Sequence, residues 1–505
     1  MSDLRTVLRD MGAVCIMIGV VSLITVLVPV YFGEVPGSAI DGVTPLLITS
    51  AVFFLFGIPF YLFFKNADPA NFKSAMVTAA LGWLTISIVG SLPFLLIPYD
   101  TVTLAMMDSL SAFFESMSGW TGTGLTMIDN EALLPFTLQF WRTFIQWIGG
   151  VGVIVLTLSI LARPGTGSYV LYKGEARDQK THPSVVSTVR TIWWIFLLYT
   201  VIGIVALTVV GFIVEGNGMD PWQALNHGMT GLATGGFSVT DDSIASFDAI
   251  SQFVVVILMV LGSVAFAAHY DLLNGRLKRF FHDPQLRSML LLFAVGIVIL
   301  MILNVQEVIT LSTLAEAFGP AAFQFISALT CTGFASVETL TTWSESSLLL
   351  LSFAMVIGGA AGSTAGGIKL FRAILLYKGV GWRIKQAIST PRRVFVHKLG
   401  EKPLSKENAM DLINEAAIIS FIWIIILSVS VIILSSIYSD YSLGKVVFEV
   451  CSAQGNVGLT AGITSMSMDT LAKSMLIINM WVGRLEIIPI IVLIRSLFGI
   501  RRNLI

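Results

Sequence analysis

Hydrophobic residues in this chain run in long blocks between short polar stretches. Crossing a hydrocarbon core as a helix takes about 20 mostly apolar residues. Nine stretches free of Asp, Glu, Lys and Arg meet that requirement: 11–33, 42–64, 74–99, 143–162, 191–214, 249–270, 288–306, 346–368 and 416–439. A tenth apolar stretch, 474–495, is interrupted by Arg484 and Glu486. The first is too long for the apolar region of a signal peptide and no small-residue cleavage site follows it, so we read it as a retained span.

Composition agrees with a chain that lies mostly in a bilayer. Of 505 residues, 55% are hydrophobic and 12% charged, where globular proteins carry about 25% charged residues. A net charge of −1 gives nucleic acid no global attraction. Cys15, Cys331 and Cys451 lie far apart in apolar stretches and offer neither a disulfide framework nor a CxxC metal site. Most of the 30 basic residues fall on alternate connections: 1–10, 65–73, 163–190, 271–287, 369–408 and 496–505. Lys and Arg mark the cytoplasmic side, so both termini are expected there and the number of spans is even, ten. The opposite loops collect acids: Asp100, Asp108, Asp129, Glu131, Glu215, Asp220, Asp241, Asp242, Asp248, Glu307, Glu316, Glu338 and Glu345. These form either a solvated loop surface or a vestibule that concentrates cations.

Four of the outer loops contain the same short pattern. It reads FFESMSGWTGTGLT at 113–126, LNHGMTGLATGGFS at 225–238, FQFISALTCTGFA at 323–335 and FEVCSAQGNVGLT at 448–460. Aligned on Gly124, Gly236, Gly333 and Gly458, each copy has a large apolar residue next: Leu125, Phe237, Phe334 and Leu459. Six positions earlier stand the hydroxylic Ser118, Thr230, Ser327 and Ser452, and nine earlier the polar Glu115, His227, Gln324 and Glu449. Each copy lies between two spans, and two further spans precede the first, which accounts for all ten. Irregular backbone at membrane depth survives only where it lines a water- or ion-filled cavity. Four such turns around one axis can replace an ion's hydration shell with carbonyl oxygens. Glycine reaches the backbone angles this needs, and the short helix before each turn aims its negative end at a cation.

On these motifs the chain resembles the potassium uptake proteins of the Trk, Ktr and HKT superfamily, and its two extra spans resemble the TrkH/TrkG branch. WRTFIQWIGGVGVI at 141–154, VIGGAAGSTAGGIKLFR at 356–372 and MWVGRLEIIPI at 480–490 match as well. The resemblance implies an all-α polytopic membrane protein with two extra N-terminal spans in 1–70. Four membrane–pore–membrane repeats follow in 71–165, 186–275, 285–380 and 409–505, with a basic cytoplasmic connection at 381–408. It implies a K⁺ filter of the carbonyls of Gly122, Thr123, Thr234, Gly235, Cys331, Thr332, Asn456 and Val457 with the glycines Gly124, Gly236, Gly333 and Gly458. Repeats two and four depart from the T-x-G form. A glycine at all four anchors implies K⁺ rather than Na⁺, since relatives that prefer sodium often have serine at the first. A homodimer and a cytoplasmic nucleotide-binding ring of the TrkA or KtrA kind are implied partners. A sodium-permeable or Na⁺- or H⁺-coupled symporter is the alternative within the architecture.

Two features point to control. A charge inside a span faces a bundle interior or an aqueous path, so Arg484 either projects into the pore below the filter, as the family's matching arginine does, or ties two helices in an ion pair. Glu486 is read as a structural partner. In 358–367, Gly358, Gly359, Gly362, Ser363, Thr364, Gly366 and Gly367 make a poor helix, each glycine costing about 1 kcal/mol. They give either close helix packing or a broken helix whose loop gates the ion, which the resemblance favours. The ten Lys and Arg of 369–408 serve membrane topology or docking. Glu115, His227, Gln324 and Glu449 are expected to brace the pore helices by hydrogen bonds. No HExxH, Walker A or GxSxG motif appears, so a membrane enzyme is a remote reading.

Overall fold

The computed structural model describes residues 2–152, 185–214, 216–304, 311–389, 397–399 and 402–498. The described chain is mostly helical, with one short hairpin. First come α1 (Ser2–Thr25), its short continuation α2 (Leu27–Phe32), and α3 (Val43–Phe63). A Cβ on Gly12 would lie 2.8 Å from the Gly57 carbonyl oxygen, and one on Gly57 2.8 Å from the Ile16 amide nitrogen. Backbone thus rests on backbone where α1 meets α3, the small-residue contact of membrane bundles.

Four repeats of span, pore helix, extended turn and second span follow. Repeat 1 comprises α4 (Phe72–Gly90) with α5 (Leu92–Leu96), pore helix α6 (Ser109–Thr121) and α7 (Phe136–Val151). Repeat 2 comprises α8 (Val185–Ile213), pore helix α9 (Pro221–Leu232), and α10 (Ala249–Ser263) with α11 (Phe266–Leu273). After α12 (Leu277–Phe281), repeat 3 has α13 (Pro284–Asn304), pore helix α14 (Leu311–Leu329) and α15 (Glu345–Ile357). Helix α16 (Leu370–Ala387) and an antiparallel hairpin of β1 (His397–Leu399) and β2 (Lys402–Leu404) lead onward. Repeat 4 has α17 (Lys406–Ile437), pore helix α18 (Leu443–Gly455), and α19 (Thr470–Leu485) with α20 (Ile488–Leu497). Side-chain caps start the first two pore helices: Asp108 accepts from the Leu110 and Ser111 amides, and Asp220 forms a capping box with Gln223.

Burial is inverted relative to a water-soluble protein. Leu55, Trp194, Phe212, Phe353, Phe421 and Ile432 face outward, while Glu115, Arg142, Gln146, His227, Gln324 and Glu449 are buried at the centre. Apolar surface meets lipid, and polar groups gather where other polar groups satisfy them.

Among the described residues, six helices are long and apolar enough to cross a membrane, or eight if each of two bent pairs is one span. The remaining two of the expected ten are α7 and α15, both shortened; residues 153–162 of the fourth stretch lie outside the described residues. The sequence marks a break only at 358–367 and charges at 484 and 486, yet every second span stops at a similar depth. Gly124 to the end of α7, Gly236 to the end of α10 and Gly458 to the end of α19 are each 27 residues, and Gly333 to the end of α15 is 24. The stretch 249–270, expected as one span, bends by 106° at Val264–Ala265, and the last span bends by 112° at Glu486–Ile487. The first bend has a physical cause. It frees backbone groups of Gly262, Ser263 and Phe266, and the loop after α15 satisfies them: Thr364 and Ala360 amides donate to Gly262 and Ser263 carbonyls at 3.1 and 3.0 Å, and the Phe266 amide donates to Gly362 at 3.0 Å.

Candidate functional site

The four turns close into a ring. A Cβ on Gly124 would overlap the carbonyl oxygen of Gly235, one on Gly236 that of Thr332, one on Gly333 that of Val457, and one on Gly458 that of Thr123. Each glycine therefore abuts the residue before the next repeat's glycine, in the order one, two, three, four and back to one. The glycines hold φ of 91°, 78°, 90° and 100°. Two residues earlier, Gly122, Thr234, Cys331 and Asn456 are left-handed too, at 69°, 51°, 55° and 53°. Such angles cost a non-glycine residue about 1–3 kcal/mol, so the surroundings must impose them. They do so alike in every repeat: the amides of Thr123, Gly235, Thr332 and Val457 donate to the Ser118, Thr230, Ser327 and Ser452 carbonyls at 2.8 to 2.9 Å.

The hydroxylic position reaches over this bond to hold the turn itself. Ser118, Ser327 and Ser452 accept from the amides of Gly124, Gly333 and Gly458 at 3.0, 3.1 and 3.0 Å. Thr230 instead donates to the Phe237 carbonyl at 2.9 Å. The large apolar residue after each glycine packs on the preceding repeat. Phe237 lies 4.4 Å beneath the Arg142 guanidinium of repeat 1, and Phe334 lies 5.8 Å from the ring of His227 in repeat 2.

The polar position nine before the glycine lies on the pore helix and braces that helix by hydrogen bonds, as the sequence suggested, against the chain leaving the turn in repeats 1, 2 and 4. Glu115 accepts from Thr126 Oγ1 at 3.0 Å and the Met127 amide at 2.9 Å. Glu449 accepts from Thr460 Oγ1 and the Ala461 amide, each at 2.8 Å, and from Thr464. His227 Nε2 meets Ser238 Oγ at 2.8 Å. Repeat 3 breaks the rule. Ala335 stands where the others have a hydroxyl, and the buried Gln324 amide has no hydrogen-bond partner among the described residues.

Repeats two and four, the departures from T-x-G, are compensated. Asn456 Nδ2 donates to Thr123 Oγ1 and to the Met480 carbonyl, both at 2.9 Å, tying repeat 4 to repeat 1. In repeat 2 the Thr234 hydroxyl meets Thr364 Oγ1 at 2.9 Å. Outside the ring opens a cavity of about 310 Å³ lined by all four glycines and by Asp129, Glu131, Asp241, Asp242 and Glu338. Of the two readings of the acidic loops, these residues therefore take the vestibule position. Burial raises the Glu131 pKa to about 8; Arg142 opposes the shift, and Glu115 and Asp241 add to it.

Below the ring, Gly358 and Gly367 bring the ends of the Gly-rich segment together: a Cβ on Gly367 would lie 2.7 Å from the Gly358 Cα. The segment is a broken helix, and its small residues pack backbone on backbone. Gly359 sits 3.2 Å, measured from a would-be Cβ, from the Ser263 carbonyl, and Gly366 presses on the Gly455 carbonyl at the end of pore helix α18. Ser363 donates to Ala360, closing the tip, and the Thr364 hydroxyl donates to Gly262 at 2.8 Å. Arg484 donates to the Thr364 carbonyl at 3.1 Å, to Gly150 at 2.8 Å and to Gly149. These are the loop tip and the C-terminal carbonyls of α7, where a cation is favoured. Lys369 Nζ donates to the Ala365 carbonyl. Glu486 pairs with Arg372 at the start of α16, the structural part expected of it.

Two buried residues of α7 escaped the sequence reading. Arg142 pairs with Glu115 at 2.7 Å and donates to the Ser238 carbonyl at 3.1 Å, joining repeats 1 and 2. Gln146, one turn on, donates from Nε2 to the Gly235 carbonyl at 2.7 Å and accepts from the Phe237 amide at 2.9 Å. Their spacing of four on one helix face is the signal that was available.

Comparison with known proteins agrees with this architecture. The family model TrkH, described as a cation transport protein, matches residues 45–498. The chain belongs to the TrkH family. An uncharacterized cation transporter of Methanocaldococcus jannaschii is 33% identical over 98% of this chain and 96% of its own length. The Trk system potassium uptake protein TrkH of Escherichia coli K12 is 30% identical, over 98% of this chain and 99% of its own. The crystal structure of the potassium transporter TrkH from Vibrio parahaemolyticus superposes with a TM-score of 0.79 at 26% identity, covering 98% of this chain and 99% of that one. As a TrkH-family member the chain is a multi-pass membrane transport protein and not an enzyme.

Proposed function

We propose that the protein takes up K⁺ through a pore along the axis of its four repeats. The observation that carries this is the closed ring, in which each filter glycine abuts the carbonyl of the next repeat. The carbonyls of Gly122, Thr123, Thr234, Gly235, Cys331, Thr332, Asn456 and Val457 stand in for the ion's water shell. Potassium is chosen over other cations because all four anchors are glycine and because TrkH relatives carry potassium uptake in their names. The loop 358–367 and Arg484 form the gate: three hydrogen bonds hold a guanidinium between the loop tip and the end of α7, under the filter.

In this reading the termini are cytoplasmic, the protein acts as a homodimer in the cell membrane, and a nucleotide-binding ring docks on the basic cytoplasmic surface. Arg383 and Lys385 on α16 and Lys398 on the hairpin belong to that surface; 163–184, Arg392 and Arg393 lie outside the described residues. The test is ⁸⁶Rb⁺ uptake into liposomes holding the purified protein, competed by K⁺, Na⁺ and Li⁺. K⁺ should abolish uptake and Na⁺ should hardly reduce it. Equal competition by Na⁺ would move the protein to the sodium-permeable or symporter reading.

A further inference from the structure

Repeat 2 lacks the side chain that the others carry just before the anchor: Gly235 stands where Thr123, Thr332 and Val457 stand. The space is filled from another repeat. A Cβ on Gly235 would overlap the side-chain amide of Gln146, which is buried on α7. That amide grips the turn on both sides of Gly236, donating to the Gly235 carbonyl at 2.7 Å and accepting from the Phe237 amide at 2.9 Å. The Gly235 oxygen is a member of the ring, since it is the atom a Cβ on Gly124 would strike. Among the described hydrogen bonds, no side chain donates to the other three ring oxygens, those of Thr123, Thr332 and Val457.

We propose that Gln146 is a specificity-determining residue that positions the filter from repeat 1. This rests on reading the ring as the potassium filter. Selection among cations depends on the size of the carbonyl cage or on the number and field strength of its dipoles. An amide donor acts on both. It fixes how far the Gly235 carbonyl turns, and it occupies one of the two lone pairs that oxygen offers an ion. In repeats 1 and 3 the turn is steadied by its own side chains: Thr121 with Thr123 at 2.7 Å and Thr330 with Thr332 at 2.8 Å. In repeat 2, Gln146 takes that part in trans, and Gly235 is small so that it can enter.

Exchanging the two solutions is the test. Gly235 has no left-handed φ, so its backbone accepts a β-branched residue once the amide is gone. The variants are Gln146→Ala, Gly235→Thr and the double variant. The readouts are K⁺ and Na⁺ protection of the purified protein against heat, and competition of Rb⁺ uptake. Each single change should lower the K⁺/Na⁺ affinity ratio roughly three- to tenfold, the worth of one hydrogen bond, and the double variant should recover most of it. A purely structural role would lower melting temperature in every salt equally and leave the ratio alone. A wild-type ratio in Gln146→Ala, or a double variant no better than the worse single one, overturns the proposal. Gln146→Met fills the volume without a donor and serves if the alanine variant does not fold. A wild-type protein without K⁺ preference would instead sink the filter reading itself.

Discussion

At the scale of single residues, the anchors were legible because their requirement is local. A position that needs a φ near +90° and has a carbonyl where its Cβ would go admits only glycine, and the need recurs four times at one spacing. Gly124→Ser should therefore push the Gly235 carbonyl aside and lower K⁺ over Na⁺ discrimination on the order of tenfold, about 1.4 kcal/mol, in competition of Rb⁺ uptake. An unchanged ratio would count against the register of the ring. Repeat 3 offers a converse test. Ala335→Ser places a hydroxyl where Ser238 meets His227, giving the Gln324 amide a partner. We expect a gain of about 0.5–1.5 kcal/mol in stability, read as a higher melting temperature with selectivity unchanged. The four-residue spacing of Arg142 and Gln146 marks one polar helix face, but their partners in repeat 2 were not legible, since Gly235 and Ser238 lie 89 and 96 residues further along the chain. No local pattern announces such a contact.

At the scale of elements, long apolar runs gave the spans and the repeat gave the pore helices, but the breaks in the second spans were legible only in part. The Gly-rich segment and the charges at 484 and 486 betray two of them. The bend at Val264–Ala265 has only a Gly262–Ser263 pair as a local sign, because much of its cause is external: the loop tip arrives from repeat 3 and pairs with the freed backbone. The last span turns at Ile487, whose φ of 74° and ψ of −50° close a tight turn from the Ile488 amide to the Glu486 carbonyl at 2.9 Å. A β-branched residue there is strained, and the neighbouring Glu486–Arg372 pair holds the turn in place. Arg484 sits two residues before that turn and bonds to the carbonyls of two other repeats. Arg484→Ala removes all three bonds at once and should raise basal Rb⁺ flux several-fold while leaving the K⁺/Na⁺ ratio unchanged, since no filter residue is altered. Flux that stays level or falls in protein with a wild-type elution profile would rule out the gate.

At the scale of the whole molecule, the proposed orientation makes the charge pattern an acidic outer mouth and a basic inner face, with a polar axis between them. The outer half of that pattern carries a titration that can be measured. Glu131 lies in the vestibule wall beside Asp241, outside the spans, with its pKa raised to about 8 by burial. It is therefore neutral at pH 6.5 and ionised at pH 9, and the mouth gains one negative charge as external pH rises. An added charge at a wet entrance raises local cation concentration roughly two- to threefold. Rb⁺ uptake at concentrations well below saturation should thus rise by that factor with a midpoint near pH 8. Glu131→Gln should hold the lower level across the range, and about 1 M salt, with a Debye length of about 3 Å, should flatten the wild-type curve. The same shift fixes the sign for stability. The folded state keeps a proton that the unfolded chain loses above about pH 4.5, so melting temperature should fall between that pH and about 8, and less so in Glu131→Gln. A pH profile identical in the two proteins would mean that Glu131 does not face the ion's path.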